Sequence, residues 1–100
     1  ASGDARSIGR LGRAFEGQGD ASAAEAMYRL AAEIDDRSIE YPARLAIVLA
    51  RAGRCEAAES AADDAEDRMA FYGLTDNDDL IIDAERSIDA CVEHSIEPAD

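Results

Sequence analysis

Two cysteines and a single histidine are the residues of this chain best suited to chemistry, and Cys55 is far in sequence from Cys91 and His94. His94 lies at the predicted end of the last helix, where an imidazolium interacts favourably with the helix dipole and needs no catalytic role. The sequence has no Gly-rich phosphate loop and no nucleophile elbow. Carboxylates are plentiful, but the sequence places none of them in an apolar pocket that would raise its pKa. We therefore expect a protein that is not an enzyme and has no cofactor.

A run of acidic side chains, Asp76-Asn77-Asp78-Asp79, suggests a calcium loop at first sight. The EF-hand pattern requires an oxygen ligand at its fifth position and a glycine after it, but this chain has Leu80 there and no glycine. Acidic residues at a helix start are already favoured by capping and by the helix dipole. A zinc site is not expected from two cysteines either, because structural zinc sites have four protein ligands. The sequence predicts no metal.

Cys55 and Cys91 are predicted to open the fourth helix and nearly to close the fifth. If these helices form an antiparallel hairpin, the two cysteines lie at the same end. A disulfide between them would stabilise the fold by about 3–4 kcal/mol in the loop-entropy model. It would also imply an oxidising compartment such as a bacterial periplasm. The alternative, two buried thiols acting as small apolar residues, stays open.

The bulk composition narrows the class of partner. The chain has 100 residues, enough for one small domain, and a net charge of −13. This charge argues against nucleic acid, whose binding depends on cations that neutralise phosphates. No stretch approaches the roughly 20 apolar residues that a membrane span needs, so we expect no direct membrane insertion. All ten basic residues are arginines, which form planar bidentate pairs with carboxylates.

The spacing of apolar and turn residues predicts five helices. We expect a frayed segment over 1–4, a helix pair over 5–37, a second pair over 38–73, a last helix over 76–94 and a tail over 95–100. Gly12 lies inside the first helix, where it costs about 1 kcal/mol relative to alanine. We expect a partner helix to cross there too closely for a Cβ.

Seven positions of the first helix pair recur with a fixed period of 34 residues. They are Leu11, Gly12, Phe15, Gly19, Ala24, Tyr28 and Ala31, matched by Leu45, Ala46, Leu49, Gly53, Ala58, Ala62 and Ala65. Such a period is typical of stacked supersecondary units. The spacing resembles the tetratricopeptide repeat (TPR), a helix–turn–helix unit of that length, over about residues 5–68. The resemblance implies an all-α solenoid of two antiparallel repeats, which the fifth helix would cap.

In tetratricopeptide proteins the first helix of each repeat lines a concave groove that holds a peptide or a partner helix. The resemblance assigns six residues to that groove: Arg6, Arg10, Arg13, Arg44, Ile47 and Arg51. Arginines in an otherwise acidic protein would favour carboxylate-bearing partners. The alternative is that these arginines pair with neighbouring acidic helices and form a solvated face.

We therefore expect a noncatalytic adaptor that binds a peptide or helix of a partner protein. By analogy with the family, the setting would be a bacterial secretion, pilus-assembly or envelope system, with the periplasm or envelope favoured over the cytoplasm. Two alternatives stay open. The chain is a self-assembling module that forms homo-oligomers, or it is a fragment of a longer repeat scaffold.

Overall fold

A computed structural model describes residues 2–73 and 78–96 of the chain. These residues form five helices: α1 (Ser2–Gly17), α2 (Ala21–Ile34), α3 (Glu40–Arg51), α4 (Cys55–Tyr72) and α5 (Asp78–Ile96). The described residues contain no strand, which confirms the all-helical class and the number of helices. The molecule is elongated, with extents of 50 × 30 × 18 Å.

Two helix ends differ from the prediction. The helix α1 begins at Ser2, so residues 2–4 form its first turn, although we expected this segment to fray. Asp4 lies in that turn, where its carboxylate interacts favourably with the helix dipole. The helix α5 continues to Ile96 and includes the first two residues of the predicted tail. Residues 74–77, with the predicted cap Asp76-Asn77, and residues 97–100 lie outside the described part of the chain.

Local signals account for the turns between the helices. Asp20 is the N-cap of α2, and its Oδ1 atom accepts the N–H of Ala23 at 3.1 Å. Ser38 precedes α3, and its hydroxyl accepts the N–H of Tyr41 at 3.3 Å. The turn into α4 passes through Gly53, whose φ of 83° is unfavourable for residues with a Cβ. These signals explain where α2, α3 and α4 begin.

The helix α3 is the centre of the core. It packs against α2, α4 and α5, and from Pro42 to Ala50 every residue except Arg44 is buried. Ile47 is therefore only 7% exposed and belongs to the core. Our assignment of Ile47 to an open groove is wrong, because three helices surround α3 and leave it no open apolar face.

The helix α1 packs closely on α2 through a small residue, as the sequence predicts. A Cβ placed on Gly12 would lie 2.7 Å from Cε1 of Tyr28, and the Tyr28 ring is fully buried. Gly9 plays the same part on a neighbouring face of α1, since a Cβ there would collide with the ring of Tyr41 in α3. Two tyrosine rings therefore fix α1 against the rest of the fold.

Two long-range connections hold α4 in place. The guanidinium of Arg68 donates to three carbonyl oxygens at and beyond the end of α2, those of Ala32 (3.1 Å), Asp35 (3.1 Å) and Ser38 (2.9 Å). At the other end of α4 a disulfide joins Cys55 to Cys91, whose Cα atoms are 5.7 Å apart. The disulfide fixes the end of α5 to the start of α4.

Candidate functional site: an arginine-bearing face on α1 and α3

The helix α1 presents three arginines in a row. Arg6, Arg10 and Arg13 follow the i, i+4, i+7 spacing, which places them on one side of a helix over about 10 Å. All three are exposed. None of them forms an ion pair with another residue that the structure describes. Their guanidinium groups are therefore available to a partner.

The helix α3 contributes two arginines that already have partners. Arg44 Nε lies 2.8 Å from Oε2 of Glu40, one turn earlier in the same helix. Arg51 Nη1 lies 3.5 Å from Oε2 of Glu16, at the end of α1. The ion-pair partners thus come from α1 and α3 themselves and not from the acidic helices α4 and α5. For these two arginines, the solvated-face alternative describes the contacts better than an empty groove does.

Tyr28 connects the two sets of arginines. Its hydroxyl donates to Oε1 of Glu16 at 2.6 Å, and the other oxygen of Glu16 accepts from Arg51. Burial, together with the Glu16 carboxylate, raises the pKa of Tyr28 well above its usual range, and the nearby positive charges of Arg13 and Arg44 oppose this. Tyr28 is therefore linked to Arg51 through Glu16, and the charges of Arg13 and Arg44 act on its hydroxyl group.

Tyr41 marks the other end of the same surface. Burial raises the pKa of Tyr41, with a further contribution from Glu40, while Arg6 and Arg44 oppose the rise. The positive charges of Arg6 in α1 and Arg44 in α3 thus act on the same hydroxyl group. Tyr28, Tyr41 and Glu16 thus connect Arg6, Arg13, Arg44 and Arg51, and Arg10 lies on the same side of α1 as Arg6 and Arg13 by helix spacing. We call this surface the arginine face and define it by Arg6, Arg10, Arg13, Arg44 and Arg51.

A cleft of about 360 Å³ between α3 and α5 continues from the arginine face at Arg51. Arg86 and His94 of α5 line it, and Ala50 and Ala90 are among its small apolar residues. Sequence reasoning missed Arg86, because it treated α5 only as a cover for the last repeat. The available signal was that Arg86 is the only arginine in a strongly acidic helix. The cleft adds positive charge next to Arg51.

The surface between α4 and α5 is acidic. A cleft between α4 and α5 is lined by five carboxylates, those of Glu59, Asp63, Glu66, Glu85 and Asp89. Partial burial raises the pKa of Glu66, and the neighbouring charges of Glu85 and Asp63 raise it further. Among the described residues, no group of three or more His, Cys, Asp or Glu side chains could hold a metal ion. No helix in that part of the chain is long and apolar enough to cross a membrane.

Comparison with protein-family models, with curated proteins and with solved structures found no match to this chain.

Proposed function

We propose that this chain is a noncatalytic protein-binding module whose arginine face binds a carboxylate-bearing segment of a partner protein. In this proposal α1–α2 and α3–α4 are two TPR-like repeats of a short solenoid, and α5 caps the second. The observation that carries the proposal is the exposed row of Arg6, Arg10 and Arg13, which lacks ion pairs among the described residues of a chain with net charge −13.

The spacing of this row favours an extended acidic segment. Helix positions four residues apart are about 6 Å from each other. Alternate residues of an extended chain are separated by about 6.6 Å and point to the same side. An extended segment with carboxylates at every second position therefore matches the step from Arg6 to Arg10. Each charge-assisted hydrogen bond would contribute about 1.5–3 kcal/mol where water is partly excluded.

The surroundings of the row support selectivity for such a segment. Arg44 and Arg51 lie beside the row as ion pairs with Glu40 and Glu16. The cleft beside Arg51 and Arg86 offers small apolar walls to a neighbouring side chain. The negative charge of the rest of the molecule would repel nucleic acid and other large polyanions. The disulfide favours an oxidising compartment such as the periplasm.

The test uses a fluorescent decapeptide of alternating Glu and Ala, titrated by anisotropy at low salt and at about 0.15 M salt. The variant Arg6→Gln/Arg10→Gln/Arg13→Gln should bind at least about 10-fold more weakly than the wild type. The matched control Arg29→Gln changes an exposed arginine outside the face, on α2, and should bind as the wild type does.

Binding should also weaken as salt is raised, because the contacts are exposed charges. Equal affinity of the triple variant and the wild type would refute the arginine face as the binding site. So would equal binding of a Gln-Ala peptide, since that result would mean that carboxylates are not what the protein recognises. If the peptide binds as expected, affinity capture with the wild type and the triple variant would identify natural partners.

A further inference from the structure

Two equivalent leucines in the helix pairs differ sharply in exposure. Leu45 of α3 is 6% exposed; α2 packs against α3, and Leu45 lies in the cleft that α2 forms with α3 and α4. Leu11 occupies the same position 34 residues earlier, yet it is 50% exposed. In the second helix pair, α2 packs on the side of α3 that carries Leu45. Among the described residues, no helix packs on the equivalent side of α1, which carries Leu11.

The helix α2 adds two large apolar side chains to this uncovered side. Leu30 and Ile34 are 41% and 40% exposed. Their equivalents in the second helix pair are the polar residues Asp64 and Arg68. These two residues and Leu45 line one cleft between α2, α3 and α4. The 34-residue equivalence therefore assigns Leu11, Leu30 and Ile34 to one face of the first helix pair, which we call the end face. The end face is more apolar than its internal counterpart.

The distribution of charge makes the end face the least repulsive place for two copies to meet. Residues 1–34 hold five carboxylates and four arginines, whereas the rest of the chain holds eighteen carboxylates and six arginines. The molecule is 50 Å long, which is several times the screening length of about 8 Å at physiological salt. Two copies joined through α1 and α2 would keep their acidic α4 and α5 helices far apart.

We propose that the end face binds the end face of a second copy and forms a two-fold symmetric dimer. An interface of this type needs one surface that complements itself, and a patch of leucine and isoleucine in the least acidic part of the chain meets that need. A second copy carries the matching apolar patch by construction. The interface does not include the arginine face, so each protomer keeps its proposed peptide site, and the two proposals are independent.

Sedimentation velocity over a concentration series tests the dimer. The wild type should associate reversibly. The variant Leu30→Asp/Ile34→Arg places at these positions the residues that the second helix pair carries there, and it should remain monomeric with an unchanged circular dichroism spectrum. The matched control Ile82→Asp changes an exposed apolar residue of α5 and should associate as the wild type does. Leu30→Gln alone replaces the double variant if that protein loses helix.

Two results would overturn the proposal. One is a wild-type protein that stays monomeric up to about 1 mM, where even weak specific association is detectable. The other is association that persists in Leu30→Asp/Ile34→Arg, because the copies would then meet through another surface. The Arg6→Gln/Arg10→Gln/Arg13→Gln protein should still dimerise, so failure of the peptide-binding proposal would be seen separately.

Discussion

The contact between Gly12 and Tyr28 gives a sharp test of how α1 packs on α2. A Cβ at Gly12 would lie 2.7 Å from Cε1 and 2.8 Å from Cδ1 of the ring, whereas carbon atoms in contact are separated by about 3.5 Å or more. The ring has little room to move, because it is fully buried and its hydroxyl is bonded to Glu16. We predict that Gly12→Ala destabilises the protein even though alanine is the better helix former.

The magnitude follows from two opposing effects. Replacing glycine by alanine inside a helix stabilises it by about 1 kcal/mol. Overpacking a core costs about 1–3 kcal/mol, and an overlap of about 0.8 Å with two atoms of a buried ring points to the upper half of that range. The free energy of unfolding should therefore fall by about 1–2 kcal/mol in Gly12→Ala.

The second helix pair indicates when Gly12→Ala should stabilise the protein and not destabilise it. It carries Ala46 and Ala62 at the positions equivalent to Gly12 and Tyr28. In a Tyr28→Ala background the ring is gone, so Gly12→Ala should stabilise the protein by about 1 kcal/mol. The coupling energy between the two substitutions should then be about 2–3 kcal/mol, which lies within the range seen for residues in contact.

The four proteins of this cycle should be compared by urea unfolding, followed by circular dichroism at 222 nm with the disulfide intact. Tyr28→Ala alone should cost about 3–5 kcal/mol, and Tyr28→Leu can replace it if the protein no longer folds. Gly17→Ala is the control, because no atom lies within 4 Å of its added Cβ. If Gly12→Ala is as stable as the wild type, or has the same effect in both backgrounds, the proposed steric conflict with the ring is wrong.

Three further predictions concern stability. Reduction, or the double change Cys55→Ala/Cys91→Ala, should lower the free energy of unfolding by about 4 kcal/mol, because the disulfide spans 36 positions. A thiol assay in denaturant without reductant that finds two reactive thiols per chain would contradict the disulfide. Arg68→Met should cost about 2–3 kcal/mol in urea unfolding, since it removes charged hydrogen bonds to three carbonyls. Glu66→Gln should stabilise the protein at pH 7, because the folded state raises the pKa of this carboxyl and so disfavours its charged form.

The last two predictions have matched controls. Arg29→Met removes an exposed i, i+4 pair with Glu25, so it should lower the free energy of unfolding by less than about 0.5 kcal/mol. If Arg68→Met costs no more than Arg29→Met, the hydrogen bonds of Arg68 to the three carbonyls do not stabilise the fold as predicted. The gain from Glu66→Gln should vanish as pH falls below about 4, the range in which unfolded glutamates become protonated. Glu33→Gln on α2 should show no such gain at pH 7.

Much of the helical layout is local and was predictable. The number of helices and the start of α4 at Cys55 agree with the sequence prediction, because caps such as Asp20 and turn glycines such as Gly53 act within a few residues of their position. The close approach at Gly12 was also predictable, since a glycine inside a helix suggests a neighbour that leaves no room for a side chain.

The candidate site was only partly predictable, because it depends on which helices become neighbours. Arg6, Arg10 and Arg13 share a face through helix periodicity alone. Ile47 was misassigned, because its burial is due to the helices that surround α3. Arg86 joins Arg51 across a cleft between helices that are far apart in the sequence, and no local pattern indicates that approach.

Leu11 and Leu45 separate the two sources of information most clearly. The sequence by itself determined that both lie in a helix at the same position of a 34-residue pattern, because periodicity is a property of nearby residues. Only the tertiary structure decided that one is 50% exposed and the other 6% exposed. Burial requires another surface to exclude water from the side chain. Here α2 packs on α3 of the second helix pair, while among the described residues no helix packs on the equivalent face of α1.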